Sequence, residues 1–373
     1  MVSISLCLLA GCAWEEQGTR GAEASHKLPS GQWAFSATTD MTVKRESHST
    51  TLLADGRVLI AGGHDGPTGH ASTELYNPGD GTFQPAALMT TVRSSFTATR
   101  LLDGRVLMAG GTDGSTAHGG VVRSSAELFD PVTTTFTRTG SMIGPRCCHN
   151  TAALLSDGKV LLAGGWEGSH YLRSAELYDP KTGTFEATGK MIKGGLHRTS
   201  VVLANGNVLI AGGWADGFLA AAEIFDPEAR TFKATGNMKR PKCCQRAVLL
   251  ADGKVLLAGG DNGDGFLASS ELYDPKTGRF EATGDMATAR SSYTGTLLPD
   301  GRALITGGWA RSGFLATAEL YDPRTGTFAK IAGMVAARMD HTATLLADGT
   351  VLIAGGKDGN GALRSAELFG PLP

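Results

Sequence analysis

Two pairs of adjacent cysteines stand in matching frames of this sequence, Cys147-Cys148 in PRCCHN (145–150) and Cys243-Cys244 in PKCCQR (241–246). With His149 beside the first pair and His197 between the two, they offer the soft donors that copper(I) or zinc takes. No spaced ligand motif surrounds them, however. Neighbouring side chains of an extended strand also point to opposite sides, so one thiolate per pair at most would face a shared ion. No metal and no cofactor are therefore expected. The remaining chemistry is redox: in an oxidising compartment each pair can close on itself as a strained vicinal disulfide.

Two further sets of residues carry possible chemistry. Trp166, Trp214 and Trp309 recur in loops that read WEGSHYLRS, WADGFLAA and WARSGFLAT, with Tyr171, Phe218 and Phe314 a few residues on, and Phe266 in DNGDGFLAS. Aromatic rings beside polar loops suit sugar rings or apolar ligands, or else pack between neighbouring elements. The second set follows Met-x-x-x-Arg-x-x-His. Its basic position reads Arg45, Arg93, Arg146, Lys242, Arg290 and Arg338, with Gly195 the exception, and its last position includes His48, His149 and His341. Such residues either pair with carboxylates of the fold or present a basic mouth to an anionic ligand. On the second reading Arg146, His149, Lys242, Arg338 and His341 join Trp166, Trp214, Trp309 and Tyr171 as ligand contacts.

All of these residues belong to one unit copied along the 373-residue chain. Gly-Gly falls at 62–63, 110–111, 164–165, 212–213, 259–260, 307–308 and 355–356. Ahead of each pair, two β-rich runs flank Asp-Gly, or Asn205-Gly206 in the fourth copy, which reads as a hairpin. Behind it come a variable loop, a strand such as SAELYDP and a fourth run such as KTGTFEATG. The third strand carries Glu74, Glu127, Glu176, Glu223, Glu271, Glu319 and Glu367, and a Pro just beyond it ends the pairing.

Gly-Gly followed by a spaced aromatic pair such as Tyr178 and Phe185, over a repeat near fifty residues, resembles the Kelch motif. The resemblance covers roughly residues 31–370 and implies an all-β, seven-bladed β-propeller of four-stranded blades. The seventh copy stops at AELFGPLP without a fourth strand, whereas SGQWAFSATTDM (30–41) matches a fourth strand alone. The N-terminal strand is thus expected to close the ring, with Trp33 at the Phe185 position and paired near Glu367.

In such a meander the uniform Asp-Gly and DPKTGT turns share one face, and the variable loops share the other. Variable loops on a rigid scaffold are where binding is expected. The cysteine pairs fall on that face, at the mouth of the central channel, with one blade between them. Inner strands at least ~4.8 Å apart put the pairs roughly 9 Å or more from each other. A disulfide needs Cα atoms within about 7 Å, so closure within each pair is expected rather than a bridge between them.

The chain's start adds an address. Val2 to Ala10 is an apolar run too short to span a bilayer, and Leu9-Ala10-Gly11-Cys12 resembles a bacterial lipobox. The expected organisation is a signal peptide over 1–12 with Cys12 lipidated, a linker over 13–30 and the propeller over 31–373. This implies the cell envelope, outer membrane or periplasm, or secretion, with membrane contact through the lipid anchor only. A net charge of −2 gives no basic field for nucleic acid.

With no Ser-His-Asp set, phosphate loop or spaced metal motif, the expected function is non-catalytic: a monomeric propeller binding a glycan or protein through its variable face. The alternative implied by the resemblance is a carbohydrate-active enzyme. A galactose oxidase-like copper-radical oxidase would need tyrosinate and histidine ligands and a Cys–Tyr crosslink. Cys148-His149 lies where a Tyr-His ligand pair is expected, and Tyr293 has no His beside it. A sugar epimerase would need an acid–base pair that the periodic Arg and Glu do not single out.

Overall fold

Runs such as Val58–Ala61, Val160–Ala163 and Val255–Ala258 are buried at every position. A strand alternates its faces, so continuous burial means that both faces of the sheet are covered. Seven four-stranded antiparallel sheets cover each other in this way in the computed structural model, which describes residues 33–114, 120–148 and 151–371. The segments expected to be a signal peptide (1–12, with Cys12) and a linker (13–30) lie outside the described residues, as does His149. No helix occurs among those described.

The first strand of each blade lies innermost, beside the first strands of its two neighbours, and the seventh adjoins the first. Blade 3 is representative: Thr151–Leu154, Val160–Ala163, Ala175–Asp179 and Thr184–Ala187 follow one another outward. The apolar core is divided into seven clusters, each shared by two adjacent blades. One joins Val58, Ile60 and Tyr76 of blade 1 to Leu352 and Ala354 of blade 7. Hydrophobic burial therefore acts between blades, and a single blade has no core of its own.

The ring closes as the repeat pattern requires. Trp33–Ala37 pairs antiparallel with Ala366–Pro371 and supplies the fourth strand of blade 7. The register corrects one expectation. Tyr178 faces Phe185 in blade 3, and the corresponding pair in blade 7 is Phe369 and Phe35. Phe35, not Trp33, holds the repeat's aromatic position; Trp33 lies opposite Pro371, and Ala37 is the residue opposite Glu367. Both rings still pack on Phe369, with centroids 5.3 Å away for Trp33 and 4.9 Å for Phe35.

Candidate functional site: the loop face and channel mouth

Each blade's entering loop is fixed by its own third strand. Glu176 Oε2 accepts the Ile143 N–H at 2.7 Å, and Glu176 Oε1 accepts from the Arg146 guanidinium at 2.6 Å. Arg146 also donates to the carbonyls of Gly164 and Ser174. The same pairing recurs as Arg45–Glu74, Arg93–Glu127, Arg290–Glu319 and Arg338–Glu367 at 2.7–2.8 Å. Lys242 stands 3.3 Å from Glu271. In blade 4, where Gly195 occupies the basic position, Arg198 reaches back from three residues on and meets Glu223 at 2.8 Å. Burial lowers the pKa of each of these cations, and the paired carboxylate opposes that shift.

This geometry decides between the two readings of the basic residues. Arg146, Lys242 and Arg338 are fully buried, with their charges facing the blades' own carboxylates and not the surface. His341 is equally enclosed: its Nε2 lies 3.1 Å from Thr294 Oγ1 and 3.2 Å from Thr306 Oγ1, in the preceding blade. His48 makes the same kind of link to Thr342 at 3.1 Å, and Gln245 donates to the Ala211 carbonyl. In blades 1, 5 and 7 the last position of the Met-x-x-x-Arg-x-x-His pattern is therefore a seam between blades. Arg146, Lys242, Arg338 and His341, expected among the ligand contacts, are thus buried within the scaffold.

At the mouth, the entering loop and the loop after Gly-Gly are held together by one β-bridge per blade. These are Glu46 to His64, Ser94 to Thr112, Cys147 to Trp166, Leu196 to Trp214, Cys243 to Asp261, Ser291 to Trp309 and Met339 to Lys357. The residue after the first member of each bridge takes a left-handed conformation: Ser47, Ser95, Cys148, His197, Cys244, Ser292 and Asp340, all at φ between 50° and 64°. Neighbours in this ring bond through the backbone, Cys148 N–H to the Ser95 carbonyl and Ser292 N–H to that of Cys244. This conformation costs roughly 1–2 kcal/mol for a residue other than glycine. The sevenfold loop geometry imposes it.

The left-handed turn also corrects the expectation that adjacent cysteines point apart. Cys243 Sγ and Cys244 Sγ lie 3.0 Å from each other, on one side of the chain. The Cys147 thiol likewise hydrogen-bonds that of Cys148; this contact and burial push it well above its ordinary range. All four cysteines of the two pairs carry thiols in this structure. Among the described residues, no group of three or more His, Cys, Asp or Glu is arranged to share a metal ion.

Trp166, Tyr171, Trp214 and Trp309, by contrast, are partly exposed on the loop face. Tyr171 lies 5.0 Å from Trp166, ring to ring, and its hydroxyl accepts the Trp214 indole N–H at 3.1 Å across the boundary between blades 3 and 4. Phe218 stacks edge-on against Trp214 at 4.7 Å and lies close over Gly263 of blade 5. Phe266 of blade 5 then meets Trp309 of blade 6 at 6.2 Å, and Trp309 stacks on Phe314 with only 2° between the rings. The aromatic residues thus form an arc over blades 3 to 6. Phe218 and Phe266 pack across blades, as one reading of the sequence expects, Phe314 packs within its own, and all three stay partly exposed.

Opposite this arc, the positions that Trp166 holds in blade 3 are taken by His64 in blade 1 and Lys357 in blade 7. The Lys357 ammonium stands 2.7 Å from Glu46 and 3.7 Å from Asp340, and His64 Nδ1 is 3.7 Å from Glu46. This charged group was overlooked in the sequence, although the aligned copies show His64 and Lys357 in place of Trp.

Closed antiparallel blades of this kind, with paired glycines and a strand exchanged between the two ends, define a seven-bladed propeller of Kelch-type repeats. The Kelch motif itself matches over residues 147–192, 242–287 and 290–335. Among solved structures, a fungal alcohol oxidase in complex with copper superposes with a TM-score of 0.73 at 20% identity, over 91% of this chain and 76% of that one. The structure of YjhT gives 0.60 at 13% identity, over 79% of this chain and 99% of that one. No curated protein matches the sequence. Likeness at these identities establishes the fold.

Among the described residues, no group of three or more His, Cys, Asp or Glu is placed to hold a copper ion like the one bound by that oxidase. Tyr293, the tyrosine nearest a ligand position, is fully buried with its hydroxyl on the Ala258 carbonyl. Burial pushes its phenol up to about 12.

Proposed function

We infer that this protein is a non-catalytic binding propeller whose ligand is a carbohydrate seated on the aromatic arc of the loop face. The observation that carries this reading is the contrast between the two candidate sets. The periodic charges are buried in the blades, while Trp166, Tyr171, Trp214 and Trp309 stay partly exposed and are linked across blade boundaries. Rings fixed by their neighbours lose little entropy on binding, and their faces suit the apolar C–H faces of a sugar. Cys12 would anchor the propeller in the cell envelope.

The test is binding of the full chain to a glycan array, followed by titration of the strongest hit against Trp166→Ala, Trp214→Ala and Trp309→Ala. Loss of one central aromatic contact is expected to weaken binding about tenfold or more. Unchanged affinity in all three variants would remove the aromatic arc from recognition. Capture of a protein partner without any glycan signal would move the reading to protein binding. Copper-dependent turnover of sugars or alcohols would replace it with catalysis.

A further inference from the structure

The two cysteine pairs form a built-in comparison. Each sits in the same frame of its repeat, with its second cysteine left-handed, at φ 64° for Cys148 and 58° for Cys244. In blade 5 the two sulfurs lie 3.0 Å apart, and in blade 3 the Cys147 thiol interacts with that of Cys148. The first cysteine of each pair is held by backbone bonds in both directions, Cys147 with Trp166 and Cys243 with Asp261. What differs is access. Cys243 and Cys244 are 2% and 3% exposed and Cys147 is enclosed, whereas Cys148 is only partly buried.

We propose that Cys147–Cys148 is a site of thiol–disulfide exchange with small-molecule disulfides, Cys148 attacking and Cys147 resolving, and that Cys243–Cys244 is closed to this chemistry in the folded protein. Exchange requires a thiolate that can line up with the disulfide's sulfur–sulfur axis, so the reachable sulfur must act first. Cys148 gives up its proton and attacks one sulfur of R–S–S–R. A Cys148–S–R bond forms, the R–S–S–R bond breaks, and the departing thiolate takes up a proton. Cys147 then loses its proton to solvent and attacks Cys148 Sγ, with which it already interacts, releasing the second R–SH. Two protein thiols and one small disulfide become one protein disulfide and two small thiols. The protein pair loses two electrons and the small disulfide gains them.

Burial and the Cys148 contact keep the Cys147 proton on, so the first attack falls to Cys148. Closure of the ring requires no strand to move apart, because the left-handed residue has already brought both sulfurs to one side. The blade 5 pair shares that geometry but lacks an exposed sulfur. It is expected to keep whichever state it had when the ring folded.

The full chain, purified with both pairs as thiols, is treated under native conditions with 2-hydroxyethyl disulfide, quenched in acid, then alkylated in denaturant and mapped by mass. The 147–148 peptide is expected to lose both alkylation sites at least about tenfold faster than the 243–244 peptide. In denaturant the two rates should converge. Cys147→Ser is expected to trap one mixed disulfide on Cys148, and Cys148→Ser to leave Cys147 unmodified. Equal native rates, faster reaction at 243–244, no native reaction at 147–148, or a mixed disulfide on Cys147 would overturn the assignment. The rate comparison uses the unsubstituted chain, so it decides the matter even if a variant folds poorly.

Discussion

Lys242 is the outlier among the cations that fasten the entering loops. The arginines of five blades bond a carboxylate and also donate to the first Gly-Gly carbonyl, as Arg45 does to Gly62 and Arg290 to Gly307. Lys242 makes an ion pair at 3.3 Å, but its ammonium makes no hydrogen bond. An ammonium is a point charge and cannot reproduce the guanidinium fork. Lys242→Arg is therefore expected to raise stability by about 1 kcal/mol in chemical denaturation, by adding bonds to Glu271 and the Gly259 carbonyl. His48 supplies a pH dependence. Burial pushes its imidazole well below the ordinary value of 6.5, with Arg45, Arg338 and His70 adding to the shift. The unfolded chain takes up this proton near 6.5 and the folded one does not. The stability tied to neutral His48 is thus complete above that pH and lost as pH falls toward the folded value. Melting temperature should decline below about pH 6.5, and His48→Gln, which mimics Gln245, should flatten part of that decline. An identical pH profile in the variant would exclude His48 as a source.

The paired glycines explain why the strand end and the blade boundary coincide. The first of each pair faces the next blade: a Cβ on Gly62, at φ +62°, would stand within 2.4 Å of the Arg93 carbonyl oxygen. The second faces its own entering loop, with Gly63 against the Glu46 carbonyl and the His48 Cβ. Gly253, in an Asp-Gly turn, has φ +83° but open space around it. Gly253→Ala should cost about 1–2 kcal/mol, the backbone strain alone. Gly62→Ala adds a clash with immovable backbone and should cost clearly more, or prevent folding. Equal unfolding midpoints for the two variants would contradict this account. The repeat spacing made the glycine pairs conspicuous in the sequence, and their place at the end of the second strand was legible there. Their contact with the next blade was not, because that contact joins residues about thirty positions apart.

At the scale of the whole molecule, closure joins the two ends of the described chain. Removing residues 33–37 strips the outer strand from Ala366–Pro371, uncovers Phe369 and leaves an unpaired edge. Stability should fall by several kcal/mol, comparable to loss of a packed aromatic; equal melting temperatures with and without the segment would refute the closure. The sequence by itself determined the seven copies, the four strands in each, the strand exchanged between the ends and the face that carries the variable loops. These follow from turn residues and alternation, which act over a few neighbours. It also identified the Arg–Glu pairing as one of two readings. Tertiary structure alone decided that the cations are enclosed, that Arg198 stands in for the missing arginine of blade 4, and that Phe35 takes the closing aromatic position. It also decided that the left-handed ring at the mouth brings adjacent thiols together. Those outcomes depend on how neighbouring blades press on one loop, a constraint set by the closed ring and absent from any single repeat.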